Sequence, residues 1–158
     1  MRLAQETESD WWEVEALLDT CFGPGREALS SYRLREGVNP VASLCLTLRD
    51  DLDILAGAIR VWPVCIGPHP ALLIGPVAVH PTRQGEGLGG LLIDGCLNRA
   101  KAWDRALLVG DAPYYARFGF RPLHDVKMPP PTNPERVLGF DLTAGAWQGI
   151  SGNVLKMK

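Results

Sequence analysis

The chain has 158 residues, 46% of them apolar and 22% charged, a size and balance that fit one globular domain spanning 1–158. A net charge of −2 and a pI near 5.9 argue against capture of nucleic acid or an anionic membrane surface through bulk positive charge, so neither is an expected partner. Any phosphate bound by such a chain has to be recognised locally.

Residues 2–8 read as a first strand. The opening MRLAQETESD has no apolar run and the longest apolar stretch, 71–79, is too short to cross a membrane, so a cytoplasmic location is expected. Asp10, with Glu13 three residues on, marks a helix start for Trp11, Val14, Leu18 and Cys21 at helical spacing, ended by Gly23-Pro24-Gly25. A second amphipathic segment covers 26–36, up to Gly37 and the Asn39-Pro40 breaker. Segments 41–49 and 54–62 alternate in strand fashion around Asp50-Asp51 and form a hairpin; 71–79 is a third strand.

Leu88, Leu91, Leu92, Cys96, Ala100 and Trp103 then recur at three and four, which predicts a helix over 87–103. The short, wholly apolar 106–109 reads as a strand buried on both faces, so strand, helix and strand make a βαβ unit with a parallel pair. Pro113 opens a one-turn helix through Phe118, 120–126 is a candidate strand, 128–134 is a proline-rich surface connection, and 137–142 is the last clear strand; the tail is ambiguous. Cys21, Cys45, Cys65 and Cys96 show no C-x-x-C and sit among apolar neighbours, so free buried thiols are expected. His69, His80 and His124 have no ligand spacing either, and no metal is expected.

Chemistry concentrates in the stretch between strand 71–79 and the following helix, where Gly85, Gly87, Gly89 and Gly90 fall within six residues. Amides at a helix start are unpaired donors with partial positive charge, and glycines let a phosphate approach them, so pyrophosphate binding is the functional reading. The same letters satisfy G-x-G-x-x-G through Gly85, Gly87 and Gly90, with Asp111 about twenty residues on. Against a dinucleotide fold, residues 80–84 intervene before the first glycine, and only 47 residues follow Asp111, without a long helix among them. A Walker A loop fails because no Gly-Lys-Ser/Thr follows.

Read in another frame, QGEGLG at 84–89 matches Q/R-x-x-G-x-G/A, and the chain here resembles the GNAT N-acetyltransferase superfamily. GPVAVHP at 75–81, YYARFGF at 114–120, CFGPGR at 21–26 and Trp62-Pro63 are similar to a branch of bacterial predicted acetyltransferases. The resemblance implies an α/β fold with a mixed sheet of about six to seven strands and about four helices, splayed between strands 71–79 and 106–110 to admit acetyl-CoA. It implies that pantetheine lies along Val77, Ala78 and Val79, that amides of Gln84, Gly85, Glu86, Gly87, Leu88, Gly89 and Gly90 hold the pyrophosphate, and that acetyl moves to a primary amine of a small molecule or peptide. The Val77 amide is then the oxyanion donor and Tyr115, four residues before Gly119-Phe120, the acid for the leaving thiolate, with Tyr114 its rival. A phenol near pKa 10 facing a thiol near 8.5 makes that step uphill by roughly 1.5 units, about 2 kcal/mol.

No ionisable side chain lies on 71–79, which leaves Glu27, Glu36, Asp53, His80 and Asp111 as possible bases, or water. Phe22, Tyr32, Trp62 and Trp147 are read first as core packing and second as lining for an acceptor cleft, and a homodimer is left open. The alternative function is a CoA-binding sensor or scaffold that has lost catalysis.

Overall fold

The computed structural model describes residues 1–23, 25–26 and 30–157. Strand β1 (Arg2–Gln5) leads into helix α1 (Trp11–Phe22), and a short helix α2 (Ser30–Arg33) follows. Then come β2 (Leu46–Arg49), the long strands β3 (Leu55–Ile66) and β4 (His69–Val79), helix α3 (Leu88–Arg99), β5 (Arg105–Val109) and the one-turn helix α4 (Ala112–Ala116). The chain closes with β6 (Arg121–Pro122), β7 (Val126–Lys127), β8 (Val137–Asp141) and β9 (Gly152–Lys156).

The strands run in the order β1-β2-β3-β4-β5-β8-β6. Along this order all neighbours are antiparallel except β4 and β5, the parallel pair expected of the βαβ unit, and off it β9 pairs antiparallel with β3 and parallel with β7. The described residues hold nine strands rather than six to seven; the two-residue β6 and β7 and the tail strand β9 account for the excess. Of the predicted segment 26–36, only Ser30–Arg33 is helical among the described residues, and 27–29 lie outside them.

Helix α1 starts where the sequence suggests, but not by the expected Asp10–Glu13 pairing. Asp10 instead reaches back to accept the Thr7 N–H at 2.8 Å, closing the turn before the helix. Glu13 is drawn away by Arg49, which donates to its two oxygens at 3.0 Å each. Helix α3 stops at Arg99, a turn short of Trp103.

Strand β3 does not end at Trp62-Pro63 but continues to Ile66. A proline there is tolerated because β2 has already let go, its last partner being Ile59, while β9 begins only at Val64. The missing N–H of Pro63 therefore costs no ladder bond.

The core sits on both faces of the sheet. On one, Leu88, Leu92, Ile93 and Cys96 of α3 pack on Leu46, Ile59, Leu72 and Leu108. On the other, Val14, Leu17 and Leu18 of α1 cover Ala58 and Ala78, and Trp62, Leu73 and Leu107 meet Trp147 of the tail. Leu92 and Ile93 are fully buried, each worth about 1.5–3 kcal/mol of apolar burial. All four cysteines are free, Cys45 and Cys96 buried and Cys21 and Cys65 partly so. No helix among the described residues is long and apolar enough to cross a membrane.

Candidate active site

Strands β4 and β5 pair only at Leu72–Ala106 and Leu73–Leu107 and then part. The cause lies in β4. Against β3 its register steps from Val61↔Ile74 to Ile59↔Val77, so Gly75 and Pro76 together face Arg60 alone. This bulge bends the strand, and Gly75 supplies the φ of +140° that it requires. Strand β5 meanwhile follows its other neighbour, Leu108 and Val109 pairing with Leu138 and Val137 of β8. The result is a cleft of about 570 Å³ between the strand ends.

Beyond the bulge, β4 turns its backbone toward that cleft at the expected positions. The His80 N–H donates to the Ala56 carbonyl at 2.8 Å, which fixes the phase of the ladder. Ala78 opposite Ala58 is then a hydrogen-bonded pair, while Val77 opposite Ile59 and Val79 opposite Gly57 are the alternate ones. The polar groups of Val77 and Val79 point away from β3, toward the gap. The Val79 carbonyl is in fact taken from that side, by Gln84 Nε2 at 2.9 Å and Cys21 Sγ at 3.4 Å. Ala78 has its backbone committed to β3 and its side chain buried beneath α1, so it contributes packing.

The glycine loop follows directly. Gly85 and Gly87 have φ of +84° and +76°, and Gly87 is the residue that turns the chain into α3. An added Cβ at either would meet nothing within 4 Å, so the space in front of the loop is open. Gly89 and Gly90 are glycine for a different reason from the one inferred in the sequence. A Cβ on Gly89 would stand 3.1 Å from the Tyr114 hydroxyl, and one on Gly90 would stand 3.3 Å from the Phe118 ring. They make room for α4 across the start of α3, and the positive φ values, not four bare Cα atoms, shape the loop. Leu88 is buried beneath the first turn, whose amides lack carbonyl partners one turn back.

The loop is braced from outside. Arg83 donates to Glu86 at 2.8 and 3.0 Å and to Asp50 at 3.2 Å, tying it to the β2–β3 turn. The hydrogen bond from Arg83 holds the Glu86 carboxyl below the usual carboxylate range. Asp50 is held low too, first by the Ile54 N–H and then by the Leu52 N–H and the Arg83 charge. The 50–53 turn thereby braces the loop through Asp50.

The two tyrosines of α4 separate cleanly. The Tyr114 hydroxyl lies beside Gly89, whereas Tyr115 lines the cleft with its ring against Gly110. Tyr115 is boxed in by Tyr114 and Phe120, ring centroids 4.9 and 5.8 Å away. Burial, helped by the neighbouring Tyr114, pushes its phenol up to about 12.

Among the proposed bases, Asp111 lines the cleft and accepts the Tyr114 N–H at 3.0 Å. Glu36 is exposed, Asp53 pairs with Arg2, and His80 Nδ1 is 2.8 Å from the Thr82 hydroxyl; Glu27 lies outside the described residues. Of the four aromatics, Phe22 and Tyr32 line the cleft. Trp62 and Trp147 do not: Trp62 lies under Arg35, whose guanidinium is 4.3 Å from its ring, and Trp147 Nε1 donates to the carbonyls of Ala106 and Phe140 at 3.1 Å. Two cleft residues escaped the sequence reading, Asn133 and Arg136. Asn133-Pro134 does announce a turn, with the Asn133 side chain accepting the Glu135 N–H at 3.0 Å, but nothing local says that the turn folds over the end of β5. Among the described residues no group of three His, Cys, Asp or Glu is placed to hold a metal ion.

A family model for the acetyltransferase (GNAT) domain matches residues 42–122, just over half of the chain and the whole of the βαβ unit with its loop and α4. The chain belongs to the GNAT acetyltransferase family. Two solved GNAT structures extend the likeness to nearly the full length. YhbS from Escherichia coli, in complex with CoA, is 26% identical, with a TM-score of 0.83 over 99% of this chain and 89% of that one. A GNAT family acetyltransferase from Brucella melitensis, in complex with acetyl-CoA, is 25% identical, with a TM-score of 0.73 over 99% and 95%. No curated protein matches the sequence. In GNAT terms the fold is the expected mixed sheet, parted between β4 and β5.

Proposed function

We propose that this GNAT protein transfers acetyl directly from acetyl-CoA to a primary amine of a small molecule or peptide. The observation that carries the reading is the parting of β4 from β5, with the backbone groups of Val77 and Val79 turned away from β3, the glycine loop and α3 following β4 in the chain, and Tyr115 lining the cleft. Pantetheine then adds to β4 as a strand would, and the pyrophosphate rests on the amides of Gln84 to Gly90. The CoA and acetyl-CoA carried by the two similar structures support that reading.

Attack by the amine forms the C–N bond and puts negative charge on the thioester oxygen, which in this reading the Val77 N–H receives; the C–S bond then breaks, the nitrogen gives its proton to solvent, and the charge passes to the departing sulfur. Tyr115 serves the sulfur. Burial pushes the Tyr115 phenol up to about 12, so full proton transfer to a departing thiolate is further uphill than for an unperturbed tyrosine. Tyr115 therefore works as a hydrogen-bond donor to the developing thiolate, and the final proton comes from solvent. Its raised pKa keeps it a donor at every working pH.

Release of CoA thiol, followed with a broad panel of amines, tests the reading. Acetylated amine formed in step with free thiol supports it. Tight binding of acetyl-CoA with no turnover across the panel supports the sensor or scaffold instead.

A further inference from the structure

The cleft carries two charged residues among its described lining, the exposed Asp111 and Arg136, whose backbones meet at the end of β5. Asp111 follows Gly110 in the chain, and the Arg136 carbonyl accepts the Gly110 N–H at 2.9 Å. The Arg136 backbone is fixed from its other side as well, its N–H donating to the Asn133 carbonyl at 3.0 Å. One cation and one anion thus flank the end of β5, next to the Tyr115 ring that rests on Gly110.

Neither charge is used up. No ion pair joins Arg136 to Asp111 or to any other carboxylate among the described residues, and of the two charged residues that line the cleft neither is neutralised by the other. Asp111 spends one oxygen on the Tyr114 N–H, which orients the carboxylate. Phe22 and Tyr32 also line the cleft, the Tyr32 ring held by the Arg35 guanidinium 3.7 Å from its centroid and its hydroxyl accepting from Arg26 at 2.7 Å.

Resting on the acetyl-transfer reading above, we propose that the acceptor is an amino carboxylate, such as a free α-amino acid with an apolar side chain. Arg136 holds its carboxylate and Asp111 its ammonium before deprotonation. The planar guanidinium fork matches a carboxylate two bonds at a time, and a plain amine leaves it unpaired. The side chain lies on Phe22 and Tyr32.

Matched pairs test this with the full chain: phenylalanine against phenethylamine, and leucine against isoamylamine, each pair differing by the carboxylate. The expected kcat/KM with acetyl-CoA is about 10- to 100-fold higher for the amino acids, the scale of a charge-assisted pair. In Arg136→Ala that ratio collapses to within about threefold through a rise in amino-acid KM, and Arg136→Lys restores part of it. Bare amines turned over as well as amino acids by the wild type, or a preference that survives Arg136→Ala, overturns the inference while leaving acetyl transfer intact. No turnover of these four while another amine of the broad panel is acetylated overturns this inference and leaves acetyl transfer intact, and no turnover of any amine by a protein that binds acetyl-CoA overturns both.

Discussion

Replacing Gly110 with alanine adds one methyl group where there is no room for it. The new Cβ would lie 2.4 and 2.9 Å from Cε2 and Cδ2 of Tyr115 and 3.0 Å from Cδ1 of Leu108. Ordinary carbon contacts are about 3.5–4.0 Å, so the Tyr115 ring has to recede by about 1 Å. It cannot do so freely, because Tyr114 and Phe120 hold it edge-on from two sides. The backbone itself raises no objection, since the φ of Gly110 is outside the left-handed region. Overpacking of this kind costs about 1–3 kcal/mol, and each kcal/mol lowers the Tm of a domain this size by roughly 2–4 °C. A reacting group misplaced by about 1 Å costs about 10²-fold in rate. The assay measures kcat, acetyl-CoA affinity and Tm for Gly110→Ala, for Tyr115→Phe and for the double variant. The expected pattern is a fall in kcat, little change in acetyl-CoA affinity, and no further loss in kcat when the two changes are combined, as for residues that act through one hydroxyl. A folded Gly110→Ala enzyme with wild-type kcat would refute the placement of Tyr115 at the reacting sulfur.

Tyr115→Phe alone should slow turnover by about 10- to 100-fold, the worth of a hydrogen bond to a charged atom. Tyr114→Phe should keep most of the activity, because its hydroxyl lies at Gly89 rather than in the cleft; comparing kcat for the two variants checks the assignment. Gly87→Val puts a β-branched residue at φ +76°, at a cost of about 1–3 kcal/mol. It re-aims the α3 amides, so titration calorimetry should show acetyl-CoA binding sharply weakened, against unchanged binding if the loop has no phosphate role. Arg60→Ala strands Glu6, whose side chain is only 11% exposed and which it bonds at 3.0 Å, and leaves Glu15 of α1 with Arg26 alone, at 3.2 Å. Urea unfolding should report a loss of about 3 kcal/mol, and a change under 1 kcal/mol would show that this cluster is not what holds α1 to the sheet.

Much of this architecture was legible because it is local. The apolar run of β5, the periodicity of α3 and the glycines between β4 and α3 name a parallel βαβ unit without long-range information, and Gly75-Pro76 marks the bulge by residue type. What was hidden depends on partners far away in the chain. Strand β9 pairs with β3 across some ninety residues, Val64 meeting Lys156, and its sequence is too polar to announce a strand. Glu13 looks like a capping residue until Arg49 is placed beside it. Gly89 and Gly90 look like phosphate glycines until Tyr114 and Phe118 pack on them. The rise in the Tyr115 pKa comes from burial, which no motif encodes, and Arg136 enters the cleft only because its turn closes over Gly110.

The most direct measurement is the melting temperature with acetyl-CoA, with NAD and ATP as comparators. If the β4–β5 gap and the glycine loop form one site for pantetheine and pyrophosphate, acetyl-CoA at about 100 times its Kd adds about 2.7 kcal/mol. That raises Tm by roughly 5–10 °C, while NAD and ATP, which have no pantetheine to lie along Val77 and Val79, leave it near its starting value. Equal stabilisation by NAD, or none by acetyl-CoA, would contradict the assignment of this site.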